Sequence, residues 1–235
     1  MHRICLFCLL LLLAAVTGNA QFIMAQAMQT DTGKLYLRHN PLGLIDFLDG
    51  NITFGSEYRF NDTWSATLDA GGILYSQYFP KSKRAIGILL RPGVRLYPGK
   101  YKDYFVELQF HYKQVTYNIR DWLDRDVVNG VSTYEELKTF RYRKRAIGVN
   151  IMGGMKQYLS KNHRLFIEIY LGPGVHFKNQ KLVDEPNARY DPPFTLFTTD
   201  NTSNNTAGNN SNNTPGERSV VPALPGGVRL TYRLR

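Results

Sequence analysis

Apolar and polar positions alternate without interruption between positions 165 and 177 of this chain. The odd positions are apolar or proline and the even positions are polar, small or aromatic: Leu165, Ile167, Ile169, Leu171, Pro173, Val175 and Phe177 against Phe166, Glu168, Tyr170, Gly172, Gly174 and His176. A period of two predicts a β-strand with one apolar and one mixed polar face. This strand is longer than the roughly 5–6 residues typical of soluble strands and covers the roughly 9–11 that a tilted strand needs to cross a bilayer.

The same alternation predicts eight strands along the chain. They cover residues 34–47, 51–60, 64–75, 86–97, 104–119, 142–158, 165–177 and 228–234. In the fifth strand the apolar residues move from even to odd positions near Gln114. The sequence therefore predicts a β-bulge there, since one extra residue would exchange the two faces.

The connections between these strands alternate between short and long. Residues 61–63, 98–102 and 160–162 form short turns, whereas residues 76–84, 120–141 and 178–224 form long loops. Transmembrane β-barrels show this asymmetry, with short periplasmic turns and longer external loops. The longest loop includes residues 200–216, which are dominated by Asn, Thr, Ser and Gly, and disorder is expected there.

The N-terminal residues have the parts of a secretory signal peptide. Arg3 supplies a positive charge, residues 6–16 are apolar, and residues 18–20 are small enough for cleavage. We therefore expect a signal peptide at 1–20, a short N-terminal segment at 21–33 and a β-barrel at 34–235 with a long, disordered loop at 178–224. Both cysteines, Cys5 and Cys8, fall in the signal peptide, so neither a disulfide nor a thiolate site is expected.

The chain carries a formal net charge of +10, which favours an anionic partner. For an exported chain, lipid phosphates are a better candidate than nucleic acid. Two basic clusters flank the outer ends of the fourth and sixth strands. Either they form a solvated rim, or they bind lipopolysaccharide phosphates; the candidate contacts are Lys81, Lys83, Arg84, Arg141, Arg143, Lys144 and Arg145.

Charged residues occupy the inward face of the predicted strands. The interior of an eight-stranded barrel is just wide enough to be filled by side chains, and a buried charge needs a partner. Counting upward from the short turns predicts four ion pairs: Arg38 with Glu57, Asp69 with Arg91, Arg95 with Glu107, and Glu168 with Arg229. A narrow anion conduit is the alternative. A soluble barrel with an apolar ligand is disfavoured, because its charges would face outward.

Segments 104–112 (YFVELQFHY) and 162–168 (NHRLFIE) resemble an uncharacterised family of small outer-membrane β-barrel proteins of Gram-negative bacteria. The resemblance implies an all-β fold, an antiparallel up-and-down eight-stranded transmembrane β-barrel. It also implies a monomer in the cell outer membrane, contacts with lipid and lipopolysaccharide, and the outer-membrane assembly machinery as a partner during biogenesis. The expected role is structural or surface-interacting, through the external loops.

Some barrels of this size modify lipid A, using a histidine and a serine near the outer lip. His176 is predicted near that lip, but no H-x-S motif and no metal-binding histidine pair occurs in the sequence. We therefore expect no catalysis, no cofactor and no metal. A lipid A-modifying enzyme remains the alternative.

Overall fold

The computed structural model describes residues 34–45, 49–76, 81–99, 102–126, 132–185, 188–190 and 217–234. The predicted signal peptide and the 21–33 segment lie outside these residues. Ten antiparallel strands and one 3-10 helix follow in chain order: β1 (Leu35–Asn40), the helix (Pro41–Ile45), β2 (Asp49–Arg59), β3 (Trp64–Ser76), β4 (Ser82–Leu96), β5 (Tyr104–Arg125), β6 (Tyr134–Tyr158), β7 (Leu165–Leu171), β8 (Gly174–Leu182), β9 (Glu217–Ala223) and β10 (Gly226–Arg233). No helix among the described residues is long and apolar enough to cross a membrane.

Eight of the strands form a ring in the order β1-β2-β3-β4-β5-β6-β7-β10, and β10 pairs again with β1. The short turns lie at one end of this ring, which we call the lower end. Strands β8 and β9 lie above β7 and β10: β6 pairs with β7 through residues 153–158 and with β8 through residues 142–150. The predicted seventh strand is therefore one chain path divided into β7 and β8.

Prolines divide both of these paths at the same level. Pro173 separates β7 from β8, and Pro225 separates β9 from β10. Proline has no backbone N–H to donate to a sheet, which explains the interruptions. The breaks lie side by side, because the Gly172 N–H donates to the Pro225 carbonyl at 3.0 Å.

In the lower half of the ring, charged side chains face inward and apolar side chains face outward. Each ring strand buries a charged residue in this half: Arg38, Glu57, Asp69, Arg95, Glu107, Lys156, Glu168 and Arg229, in ring order with β10 last. Each also exposes an apolar residue to at least 38%: Leu37, Phe54, Leu68, Leu90, Leu108, Ile151, Ile169 and Leu230. This sidedness is the inverse of that in a water-soluble sheet.

Above the register pair Tyr112–Ile147, the two faces exchange their composition. On β5, four inward residues are fully buried and uncharged, Val115, Tyr117, Ile119 and Leu123, with the buried Asp121 between the last two. The outward residues Gln114, Thr116, Asn118 and Arg120 are polar, and Trp122 above them is apolar and exposed. We call this part of the ring the upper region. The predicted bulge near Gln114 is wrong, since the β5–β6 register continues without a shift from Tyr104 to Arg125.

Several predicted loops are shorter in the structure, because strands continue into them. β5 runs to Arg125 and β6 begins at Tyr134, so most of the predicted 120–141 loop is a β-hairpin. Similarly, β8 and β9 pair through residues at both ends of the predicted 178–224 loop. Residues 191–216, where disorder was expected, lie outside the described residues.

The predicted first strand, 34–47, also ends early. Its strand part stops at Asn40, and Pro41 begins the 3-10 helix. Proline suits this position because its fixed φ is compatible with the first turn of a helix. The helix packs beside β2 and β10, and this places it in the wall of the ring where β1 ends.

Candidate functional site

The interior of the ring is the candidate site, and Arg95 is the centre of its ion-pair network. The Arg95 Nη1 atom lies 2.9 Å from Glu57 Oε2 and 2.7 Å from Glu168 Oε1, and its Nη2 atom lies 2.8 Å from Glu107 Oε2. All four side chains are inaccessible to solvent. The planar guanidinium, with five N–H donors, can serve three carboxylates at once. Arg95 therefore connects β4 to β2, β5 and β7 across the ring.

Two further arginines extend this network upward. Arg229 Nη1 lies 2.9 Å from Glu107 Oε2, and Arg229 Nη2 lies 3.5 Å from Asp69 Oδ2. Arg38 Nη2 donates to Asp69 Oδ1 at 2.6 Å. These contacts add β1, β3 and β10, so the network reaches seven strands of the ring.

Aromatic rings and two cations close the lower end beneath Arg95. The Arg59 guanidinium lies 3.8 Å from the centroid of the Tyr97 ring, and Lys156 Nζ lies 4.0 Å from the same centroid. Phe166 also faces Lys156, at 5.0 Å. The Tyr97 hydroxyl donates to Glu57. Ring faces stabilise cations electrostatically, so this layer holds positive charge with few carboxylates.

The network contains two of the four predicted ion pairs and corrects the other two. Arg95 and Glu107 form the predicted pair, and Glu168 lies 4.0 Å from its predicted partner Arg229 but 2.7 Å from Arg95. Two predictions are wrong: Arg38 binds Asp69 rather than Glu57, and Arg91 binds a histidine rather than Asp69. Asp69 and Arg91 are register partners, but Asp69 is taken by arginines that reach it from β1 and β10.

Arg91 lies above this network, beside two stacked histidines. Its Nε atom donates to His111 Nδ1 at 3.3 Å, and the rings of His111 and His176 stack with centroids 4.3 Å apart. His176 Nε2 lies 2.9 Å from Asn150 Oδ1. Within the described part of the chain, no three His, Cys, Asp or Glu side chains are grouped so that they could hold a metal ion.

A cavity of about 430 Å³ lies at the level of Arg91. Its wall combines polar interior residues with apolar residues of the ring wall: Asn40, Leu42, Gly43, Asn51, Arg91, Gln109, Met152, Tyr170, Leu224, Pro225 and Gly226. Arg91 is the one charged residue in this lining. Sequence reasoning missed the cavity, because the 3-10 helix and the break at Pro225 that border it leave no clear periodic signal.

An apolar core fills the upper region. Its buried members come from β3, β4, β5 and β6 and from the chain after β8: Ile73, Ala85, Val115, Tyr117, Ile119, Leu123, Phe140, Tyr142, Ala188 and Tyr190. Tyr190 packs edge-on against Phe140 at 4.9 Å, and its hydroxyl donates to Asp121 at 3.2 Å. Burial, followed by the charge of Asp121, raises the pKa of Tyr190. Tyr190 was assigned to a disordered loop in the sequence analysis, so its role in this core was not predicted.

Two of the predicted phosphate contacts already have carboxylate partners. Lys81 Nζ lies 2.5 Å from Asp121 Oδ1, and Arg141 donates twice to Asp184, at 2.6 and 2.7 Å. Burial is the largest single influence and raises the pKa of Asp121, but the hydrogen bonds from Lys81, the Trp122 N–H and Tyr190, together with the charge of Lys81, outweigh it, and the net shift is downward. The Arg141 hydrogen bonds lower the pKa of Asp184. These two cations are thus largely neutralised by their partners.

Of the other predicted contacts, Lys144 has the wrong orientation. It occupies an even position of β6 and faces inward with 7% exposure. Four cations remain at exposed or half-buried positions: Lys83, Arg84, Arg143 and Arg145. Arg145 is the register partner of Gln114 and lies two residues before the exposed Ile147 on the outer face of β6. Its Nη2 atom donates to Gln114 Oε1 at 3.2 Å.

A second group of ion pairs lies beside the hairpin formed by the upper parts of β5 and β6. Arg125 Nη1 lies 2.5 Å from Glu185 Oε2, and Lys138 Nζ lies 2.7 Å from Glu185 Oε1. The Lys138 hydrogen bond is the main reason that the pKa of Glu185 is lowered. These contacts fasten the chain after β8 to both strands of the hairpin.

Comparisons with known proteins leave the chain without a relative. No family model matches it, and neither the curated proteins nor the solved structures contain a match. The functional argument therefore rests on the geometry alone.

Proposed function

We propose that this protein is a monomeric, up-and-down, eight-stranded β-barrel of the cell outer membrane, of the kind found as small barrels in Gram-negative bacteria. Its role is structural or surface-interacting, through the upper region and the external loops, and it involves no catalysis. One observation carries the proposal: every strand of the ring buries charge and exposes apolar side chains in the lower half. Each Å² of apolar surface left in contact with water costs roughly 25 cal/mol of free energy relative to burial. Contact with lipid tails, which are apolar, would remove this cost.

The height of the apolar outer band supports a bilayer as its solvent. On β5 the band runs from Tyr104 to Tyr112, with Val106, Leu108 and Phe110 between them. At about 3.4 Å per residue and a tilt of about 40°, this length spans roughly 21 Å along the barrel axis. Known outer-membrane barrels carry an apolar band about 25 Å tall.

The outward cations lie where such a protein would meet lipid phosphates. Arg143 and Arg145 precede Ile147 on the outer face of β6, and Arg84 precedes Ile86 on β4. Each cation near an anionic membrane surface contributes about 1 kcal/mol of attraction. Lipopolysaccharide, which carries phosphates at this depth, is the partner that these four residues suit.

The interior argues against the anion conduit. Arg95 and its three carboxylates close the lower half with no accessible surface, and the apolar core closes the upper region. An ion crossing the barrel would have to break three buried contacts of Arg95. We therefore expect no steady conductance from the protein in planar bilayers.

The chain contains two tryptophans, and they offer a direct test. Trp64 lies at the lower end of the apolar band and is 46% exposed, whereas Trp122 lies in the hairpin above it and is 55% exposed. In vesicles with brominated acyl chains, Trp64 fluorescence in the Trp122→Phe variant should be strongly quenched. Trp122 fluorescence in the Trp64→Phe variant should stay near its unquenched value.

Equal quenching of the two residues would contradict the proposed depth, and no quenching of either would contradict membrane insertion. Electrophoresis with and without heating provides the folding control, because a folded barrel migrates differently from the heated chain. Both variants must show this shift before their quenching is compared.

A further inference from the structure

We propose that the cavity beside Arg91 binds a phosphate-bearing anionic headgroup, carried by a membrane lipid that enters through the wall of the ring. The inference rests on the proposed membrane location and adds a ligand to it. Four features support it: an uncompensated cation, further arginines nearby, a gap in strand pairing, and an apolar entrance.

Arg91 is the uncompensated cation. Its hydrogen bond goes to His111, and it forms no ion pair with any other described residue. The cavity lining includes no aspartate or glutamate, and its polar side chains are amides and a phenol, from Asn40, Asn51, Gln109 and Tyr170. Arg91 is partly buried. A partly buried guanidinium without a carboxylate favours an anionic ligand, and phosphate oxygens fit its paired donors.

A narrow recess adjoins the cavity and adds further positive charge. It shares Asn40 and Arg91 with the cavity and is also lined by Arg38, Asp69 and Arg229. Arg38 Nε is buried without an acceptor, and Arg38 Nη1 and Arg229 Nη2 form no hydrogen bond, although they lie 3.9 Å from Glu107 Oε2 and 3.5 Å from Asp69 Oδ2. The recess itself is too narrow for a water molecule. Its arginines therefore act on the cavity through their charge, which would attract an anion bound beside Arg91.

The wall beside the cavity has a gap in its backbone pairing. β1 pairs with β10 through four residue pairs, and the highest is His39 with Leu230. Above that pair, residues 226–229 of β10 pair with β7 alone. The 3-10 helix lies in the gap, because β1 has already ended at Asn40. Elsewhere around the lower half, neighbouring strands pair over six or more residues, so this is the weakest part of the wall.

The entrance itself is apolar. Leu42 of the 3-10 helix is 44% exposed, and Leu224 beside the break is 72% exposed, the most exposed large apolar side chain among the described residues. Leu171, the register partner of Gly226, is 58% exposed on the same outer face. A lipid fits this order of surfaces, with its tails against the leucines and its headgroup toward Arg91. A volume of about 430 Å³ lies within the range of ligand pockets, about 300–1,000 Å³.

The test compares two lipids at the entrance. In chains with Cys5→Ser and Cys8→Ser, a fluorophore is attached through Leu224→Cys at the entrance. The control label is attached through Leu108→Cys, on the outer face of β5. Vesicles of phosphatidylcholine contain either brominated phosphatidylglycerol, which is anionic, or brominated phosphatidylcholine. We expect brominated phosphatidylglycerol to quench the Leu224→Cys label at about fivefold lower mole fraction than brominated phosphatidylcholine. This ratio corresponds to the attraction of about one cation to an anionic lipid surface. The Leu108→Cys label should respond equally to both lipids.

Two variants and one additive make the result specific. Arg91→Gln should abolish the lipid preference, and Arg91→Lys, which keeps the charge, should retain part of it. Both must show the heat-dependent mobility of a folded barrel. Inorganic phosphate in the buffer should leave the preference unchanged. If phosphate abolishes it, the site takes a free anion from water, and the lipid part of the proposal is wrong.

Equal quenching of the Leu224→Cys label by the two lipids would overturn the proposal, as would a preference that survives Arg91→Gln. The outcome for the proposed function is separate. If neither brominated lipid quenches the Leu108→Cys label, the membrane location itself is wrong. Quenching of that label without a preference at Leu224→Cys leaves the membrane location supported and rejects the lipid site alone.

Discussion

The lower half and the upper region of the ring are built from the same strands but have opposite sidedness. Along β5, the inward residues Glu107, Gln109 and His111 are polar, and the inward residues Val115 and Tyr117 are apolar. The backbone geometry does not change between them, because the register with β6 is continuous. The comparison teaches that alternation assigns residues to faces but does not decide which face is apolar; under the proposed membrane location, the medium outside the ring decides that.

The two parts are consequently held together by different forces. In the lower half, charged groups in a low-dielectric interior must satisfy one another, since an unpaired buried charge costs several kcal/mol. In the upper region, apolar burial supplies the stability, as in a water-soluble sheet. Substitutions of the same kind should therefore have different consequences in the two parts.

The largest expected effect is the loss of Arg95. Arg95→Met leaves Glu57, Glu107 and Glu168 without their shared cation and should reduce the free energy of unfolding by about 3–5 kcal/mol. Urea titration of the protein in vesicles, followed by heat-dependent mobility, measures the change. Adding Glu107→Gln should recover only part of the loss, because Glu57 and Glu168 still lack Arg95 and keep only the longer contacts to Arg59 and Arg229. Full recovery would indicate an isolated Arg95–Glu107 pair instead of a network.

A charge introduced on the outer face should distinguish the lower half from the upper region most directly. Ile169→Arg places a cation in the apolar band and should cost about 2–4 kcal/mol of unfolding free energy. Leu137→Arg is the matched control in the upper region, since the two residues are 43% and 48% exposed. In water the control should change stability by no more than about 0.5 kcal/mol. Similar losses in both variants would show that the outer faces meet the same medium.

Removal of one methylene group should have a smaller effect on stability, and here the upper region should lose more stability than the lower half. Ile119→Val shortens a fully buried side chain in the apolar core and should cost about 0.5–1.5 kcal/mol. Ile151→Val makes the same change on the outer face of the lower half, where, under the proposed membrane location, lipid tails would fill the space. Its cost should be lower in the same urea titration. A larger loss from Ile151→Val would contradict lipid contact at that face.

The smallest expected effect is the response of the upper region to acid. The pKa of Asp184 and that of Glu185 are lowered by hydrogen bonds from Arg141 and Lys138. A carboxyl group with a lowered folded pKa stabilises the fold above its ordinary value of about 4, and this is lost as the pH falls through the folded value. Hydrogen exchange of the β5–β6 hairpin, corrected for intrinsic rates, should therefore be faster at pH 3 than at pH 7.

β3 provides the control for this acid response, because none of these carboxylates contacts it. Its amides should show no comparable acceleration between the two pH values. Acceleration of equal size in β3 would mean that acid loosens the whole ring and that the ion pairs around Glu185 are not responsible.

The sequence predicted most of the ring but misjudged where its strands end. The predicted strands at 51–60 and 64–75 correspond closely to β2 and β3, because their alternation keeps one composition on each face. Predictions failed above Gln114, where the apolar residues change faces while the backbone continues. A change of face in the pattern has two physical causes, a bulge or a new medium, and the sequence alone does not separate them.

Among the site residues, the sequence indicated which side chains face inward but only partly how they pair. Arg95 and Glu107 were predicted together because they are register neighbours. Arg38 and Asp69 were missed because they belong to strands that are not adjacent, β1 and β3. Long arginine side chains span the narrow interior, and their choice of carboxylate depends on all strands at once.

The sequence by itself determined the eight alternating strands and the inverted faces of the lower half. Those features are local, since the strand period of two places every second side chain on the same face. Only the tertiary structure decided the shared coordination of Arg95, the isolation of Arg91 from carboxylates, and the gap above His39. Each depends on contacts between distant parts of the chain, and such contacts exist only once the ring has closed.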